Sequence, residues 1–358
     1  MAYTDIDDPS AYFQTTLYTG NASAGHAITN SGNSDLAPNW VWIKSRDDTS
    51  THRIYDTVRG VQKPLKSDFA NAEGTDNNGV TAFGSDGFTL GNEAQSNGNT
   101  LKFVSWNWKA GTSFTNDASG TGIGTIDSTG SFNNDAGFSI VTYSGTGSNG
   151  TIKHGLNAKP KIIIWKRTDN NAGAVNWIVQ STLFGNQTKL VLNTTEAFST
   201  NSSFSQTNNW TSSVIDLKTY EGQNASNGTY VAYCFAEKSG FSKVGSYIGN
   251  GNADGSFIWT GQKSAFVMVK RSVGGTGHWM MLDNKRSASG GFNVLGERIK
   301  ANATDAGATD VYMDFLASGF KFRTTTATSW NDSGSTYIFM SFAENPFTTS
   351  TGVPATAR

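Results

Sequence analysis

Five short patterns recur three times along this chain in one order, and an internal repeat limits the fold more than any other feature a sequence can carry. Each copy opens on a Tyr and a Gly turn: LYTGN at 17–21, TYSGT at 142–146 and SYIGN at 246–250. An apolar run ending in Lys follows, NWVWIKSR, KIIIWKR and AFVMVKR, with its lysines at Lys44, Lys166 and Lys270. Next comes a short strand, HRIYD, NWIVQ and HWMMLD; in the first and third copies it ends at Asp56 and Asp283, each with an Arg three residues on, Arg59 and Arg286. A Gly-Phe strand follows in SDGFTLG and ASGFKFR, with only SSVIDLK in the second copy, and NGNTLKFVSWNWKAG, NGTYVAYCFAEKSG and SGSTYIFMSFAENP close the three copies. The lysines lie 122 and then 104 residues apart, so loops absorb the differences.

The composition says what kind of unit is repeated. Gly is abundant at 40 residues, Pro is scarce at 6, and only 15% of residues are charged, too few for long amphipathic surface helices. Gly and Asn suit hairpin turns, while Thr, Val, Ile and the aromatics suit a pleated sheet. The reading is an all-β protein of three tandem antiparallel β-sandwich modules, jelly-roll or concanavalin-like, at residues 11–111, 135–240 and 241–347. Residues 1–10 and 348–358 read as polar arms, and the Gly/Ser/Thr/Asn stretch 112–134 reads as a linker. Helix is expected only for a turn or two, near Phe69 or Leu295.

Side chains alternate between the two faces of a strand, yet the lysine runs are apolar on both. Such strands lie between two layers, one the module's own core and the other a neighbouring module or chain. Trp42, Ile163, Trp165, Val267 and Val269 are the candidates for that outer packing. Trp106, Phe235 and Phe342 read as equivalent core anchors of the closing strand, and the recurring Lys44, Lys166 and Lys270, with Arg46, Arg167 and Arg271 nearby, read as charged strand ends.

Reactive chemistry is sparse. The four His form no metal-binding pair, and His52 and His278 fall near the same repeat position, before the short strand. The single Cys234 lies in the apolar run YVAYCFA and reads as a buried strand residue. Asp5, Asp7 and Asp8 lack the Gly and Glu of a calcium loop. Glu237 and Glu344 are the one carboxylate pair that suggests glycosidase chemistry, but a position recurring in a repeat marks architecture first. The sequence therefore predicts no catalytic residue, metal or cofactor. A net charge of −1 without a basic run argues against nucleic acid, and no apolar stretch is long enough to insert into a membrane. Trp210 and Trp330 stand in polar, turn-rich surroundings and are the candidate ligand or interface residues, because exposed rings flanked by amides and hydroxyls can stack on sugars or partner proteins.

LYTGN, PNWVWIKSR, VSWNWKAG, GFSIVTYSG, YVAYCFAE, GSYIGNGNADG and FMSFAENPF together resemble a repeat family of uncharacterised virion proteins, labelled tail-fibre-like, from marine bacteriophages. The resemblance covers nearly the whole chain. It implies a β-sandwich component of the particle surface, assembled in the host bacterial cytoplasm, and supplies no catalytic residues. A tail-associated adhesin presenting loops to the host is the function expected. A capsid decoration protein is the alternative, and a glycan-degrading enzyme a more distant one. The expected partners are other virion proteins in a symmetric or homo-oligomeric assembly, and a host surface glycan or protein.

Overall fold

The computed structural model describes residues 4–286, 294–309, 313–325 and 329–354. Among them the chain is all-β, with antiparallel pairing throughout its named sheets. Three large sheets share one strand order. In the first, Phe13–Thr19 pairs with Lys102–Trp108, which pairs in turn with Trp40–Ser45, Arg53–Asp56 and Gly60–Leu65. The second runs Phe138–Ser144, Thr229–Phe235, Ile162–Arg167, Ile178–Ser181 and Thr188–Val191, and the third Ser242–Ile248, Thr336–Pro346, Gln262–Val273, Trp279–Asp283 and Ile299–Lys300. The sequence patterns thus fall on matching strands: the Tyr strand at one side, the closing strand beside it, the lysine strand in the middle, and the short strand beyond.

Residues 112–134 are not a linker. Thr112–Asn116 and Ser128–Asn133 pair with each other and extend the second sheet beyond Phe138–Ser144. Thr112–Asn116 is exposed over most of its length and Ser128–Asn133 is half buried, a case in which low hydrophobicity hides regular pairing. The expected helix sites also differ. Val294–Leu295 and Ile299–Lys300 are strands and Phe69 lies outside any helix, while single helical turns occupy Ala94–Asn97, Ala118–Thr121 and Glu221–Asn224.

Each large sheet carries a smaller one on one face. His26–Ile28, Gly87–Leu90 and Val80–Gly84 cover the first, burying Val41, Ile43 and Phe103 with Phe88 and Leu90. Gly150–Lys153 and Val214–Leu217 cover the second, and Phe257–Trp259, Gly319–Phe322, Met313–Leu316 and Val294–Leu295 belong to the sheet over the third. The opposite faces of all three large sheets meet in one cluster. Trp40, Trp42, Trp106 and Trp108 of the first, Ile162, Ile164, Tyr233 and Phe235 of the second, and Phe266, Met268, Met340 and Phe342 of the third are all buried in it. Trp40 stacks on Tyr233 with ring centroids 4.6 Å apart, and Phe13 on Phe342 at 5.1 Å. This explains why the lysine strands are apolar on both faces: one face meets its small sheet, the other meets two neighbouring large sheets.

The Tyr-Gly turn is locked alike three times. Tyr18, Tyr143 and Tyr247 stack on Phe103, Tyr230 and Tyr337 at centroid distances of 5.2, 5.3 and 5.1 Å and interplanar angles of 12°, 18° and 12°. Their hydroxyls donate to the carbonyls of Ser96, Gln223 and Trp330. The following residues, Asn97, Asn224 and Asn331, are buried and accept through Oδ1 from the backbone N–H of Asn21, Thr146 and Asn250. Their amide nitrogens donate to loop carbonyls, such as Gly91, Lys218 and Thr324.

Candidate functional site

The recurring polar residues converge on the seams between the large sheets. Trp279 pairs opposite Lys270, and His52 and Trp177, each one residue before its short strand, continue the same register toward Lys44 and Lys166. Each donates to a backbone carbonyl of another sheet's segment: His52 Nε2 to Lys300 O at 2.9 Å, Trp177 Nε1 to Lys66 O at 2.8 Å, and Trp279 Nε1 to Val191 O at 2.8 Å. First donates to third, second to first, third to second, and the ring closes. His52 Nδ1 meanwhile accepts from Trp42 Nε1 at 2.8 Å. Its imidazole is therefore neutral, and burial, with Lys44 nearby, holds its pKa down to about 3. His278 lies one residue earlier in register than expected and meets Asn302 instead.

A second set of bonds runs in the same direction. Asp56 Oδ1 accepts from the backbone N–H of Val58 and Arg59, while its Oδ2 accepts from Arg59 Nε at 2.6 Å and from Tyr233 O–H at 2.7 Å. Asp283 repeats this with Lys285, Arg286 Nε at 2.6 Å and Trp106 Nε1 at 3.0 Å. All four hydrogen bonds of each carboxylate are needed, since neither aspartate is exposed and an unpaired buried charge is costly. Burial, together with Asp56 beside it, raises the Tyr233 pKa well above the ordinary phenol, so it stays a donor. At the third seam the matching residues are Ser181 and Phe184 on the acceptor side and Met340 on the donor side. Acceptor, cation and donor are missing there together.

The lysines are not charged strand ends. Lys44, Lys166 and Lys270 are wholly buried on the faces that meet at the seams. Lys166 Nζ donates to Ala70 O at 3.1 Å and Val175 O at 2.7 Å; Lys270 Nζ donates to Thr195 O at 2.9 Å and Gly277 O at 2.6 Å. Lys44 Nζ donates to the carbonyls of Ser45 and Asp48. Neutral carbonyls only partly replace lost hydration, so burial brings Lys44 to about 8 and Lys166 and Lys270 to about 7.

Other residues singled out from the sequence fall elsewhere. Trp42 lies in the shared central cluster, but Ile163 and Trp165 face the second small sheet and Val267 and Val269 the third. Their neighbours Ile162, Ile164, Phe266 and Met268 make the inter-sheet contacts. Trp106 is offset from its expected equivalents: it pairs opposite Trp42 and matches Tyr233 and Met340, whereas Phe235 and Phe342 match Trp108. Aligning the first two closing motifs on their trailing Gly conceals this two-residue shift, which also places Glu237 and Glu344 level with Ala110.

Glu237 pairs with Lys243 at 3.2 Å, and Glu344 with Lys263 at 2.8 Å. Trp210 and Trp330 are not exposed platforms. They are 2% and 4% exposed, each under its own small sheet, and Trp210 Nε1 donates to the buried Ser205 hydroxyl at 2.8 Å. Polar neighbours here line the inside of a capped core. The exposed ring is Trp259, at 61%. Its signal was the alternation in Phe257-Ile258-Trp259, where only Ile258 faces in. Cys234 is buried, which pushes its thiol up to about 12. Among the described residues no three His, Cys, Asp or Glu side chains come together as a metal site. Asp7 instead accepts from Ser350, and Asp8 from Ser10 and Ser34.

Fold and seams together define an all-β protein of β-sandwich character whose large sheets are joined through a common core. The chain belongs to the family described as Domain of unknown function (DUF7483), whose model matches residues 8–346. No curated protein matches it.

Proposed function

We propose that this chain is a non-enzymatic structural component of a bacteriophage particle, built as three copies of one antiparallel β-sandwich module, attached to the tail and presenting its loops to the host surface. The observation that carries the reading is that the recurring polar residues are spent on architecture. Asp56, Asp283, His52, Trp177, Trp279, Lys166 and Lys270 join one sheet to the next, and the recurring Asn residues lock turns. A module repeated three times and closed on itself is a rigid mount, suited to exposure on a particle. Phage origin rests on the sequence resemblance alone.

The closed ring of donor contacts also favours a second reading, a head decoration protein seated at a threefold or sixfold site. One experiment separates these. The chain is sought by mass spectrometry in purified particles, and its density is located by electron microscopy of particles carrying a tagged copy. Density on the tail supports the first reading and density on the head the second. Absence of the chain from purified particles rejects both.

A further inference from the structure

The ten tryptophans divide sharply. Nine are at most 4% exposed, and Trp259 is 61% exposed. It lines a cleft of 530 Å³ with Phe347, itself 46% exposed, and with Glu237, Lys238 and Lys243. The ring stands on a fixed support. Trp259 pairs opposite Gly319, and the N–H groups of Thr260 and Gly261 both donate to Ser318 O, at 2.9 and 3.1 Å. Thr260 is buried, with its hydroxyl bonded to Gln262 O. Gly261 has φ +76°, and a Cβ there would come within 3.0 Å of the indole, so backbone lies close against the ring. Lys243 Nζ lies 6.0 Å from the ring centroid and is itself held by Glu237.

We infer that the Trp259 cleft is a saccharide-binding site that takes a pyranose ring by stacking on the indole, with Glu237, Lys238 and Lys243 serving its hydroxyl or carboxylate groups. A pyranose offers an apolar face of C–H groups edged by hydroxyls, which matches a flat ring beside charged donors and acceptors. The backbone that carries the ring is held by the two bonds to Ser318 O, so little backbone entropy is lost on binding. The inference deepens the adhesin reading but is tested apart from it: a chain that binds saccharide yet is absent from particles keeps this site and loses the virion assignment.

Trp259 is its own reporter, because the other nine indoles are shielded from a collisional quencher. Acrylamide quenching of the whole chain is measured with and without cellohexaose and hexagalacturonate, a neutral and an acidic probe, and retention is read on an array of bacterial surface polysaccharides. Protection by either probe, or retention on the array, supports the site when Trp259→Ala, read by titration calorimetry because it removes the reporter, weakens binding at least about tenfold, the scale of losing one anchoring ring. Trp259→Phe should recover part of the loss. Phe347→Ala, which leaves the reporter in place, should weaken protection. No protection and no retention overturn the inference. So does a Trp259→Ala chain that binds as tightly as the parent, or one whose sole change is loss of a dimer seen by light scattering.

Discussion

Replacing Asp283 by Asn tests whether the charged seams hold the sheets together. Asn keeps the shape but cannot neutralise Arg286, whose side chain is wholly buried and lies with its guanidinium carbon 5.4 Å from the centre of the Trp106 ring. Of the four bonds to the carboxylate, the two at Oδ2, from Arg286 Nε and Trp106 Nε1, are lost if the amide nitrogen sits there, because both partners are donors only. Removing one partner of a buried pair costs about 3–5 kcal/mol, because the other charge is left uncompensated. The third seam supplies the contrast. Asp283→Ser, Arg286→Phe and Trp106→Met together reproduce the Ser181, Phe184 and Met340 arrangement and leave no orphaned charge. The triple variant should lose less than the single one, since exchanging a buried ion pair for packed apolar groups is often close to neutral. Urea denaturation followed by far-UV circular dichroism gives both values. A loss below about 1 kcal/mol for Asp283→Asn, or a triple variant worse than the single, would refute the reasoning.

Lys166 and Lys270, at about 7 in the folded chain against 10.5 when free, bind fewer protons folded than unfolded between those values, so stability should rise as pH goes from 7 to 10; urea midpoints that rise in the parent and rise less steeply in Lys270→Met, which keeps Lys166, are the expected result. His52 at about 3 and His154 at about 4 have folded values below the ordinary 6.5, so their contribution is intact above pH 6.5 and is lost as pH falls toward those values; His52→Gln should shrink the acid slope of the same midpoints. Asn224→Asp removes two donated bonds, to Ser148 O and Lys218 O, and should cost about 1–3 kcal/mol in the same denaturation assay. Cys234, buried with its thiol pushed up to about 12, should resist a thiol-reactive disulfide reagent in the native chain and react once urea unfolds it, as read by reagent absorbance.

What the sequence disclosed follows from what repeats preserve. The Tyr-Gly turns, the lysine runs and the closing strands could be matched because each copy needs the same stacked ring and the same doubly buried strand. The partner of the outer face was foreseeable only as a class. Ile162 and Ile163 are chemically identical, and only the sense of strand alternation decides which meets the other sheets. Trp210 and Trp330 misled because a cap over a core is written in turn residues, the same ones that surround an exposed ring. Lys44, Lys166 and Lys270 misled because an amine at a strand end is normally solvated, and the carbonyls of Ala70 and Thr195 come from distant parts of the chain. Thr112–Asn116 and Ser128–Asn133 escaped notice for lack of apolar residues.

The seam that carries Met340, Ser181 and Phe184 at the positions of donor, acceptor and cation bears on how such a chain can change over generations. At the two charged seams a lone exchange of Asp56 or Asp283 would strand a buried cation, and a lone exchange of Tyr233 or Trp106 would leave the carboxylate one bond short, so neither step alone is benign. Acceptor, cation and donor thus act as one unit, although the donor lies in a different third of the chain from the other two. Closure of the three sheets in one polypeptide therefore lets each joint evolve its own chemistry, a freedom denied to an assembly of three identical chains, where every joint must be the same.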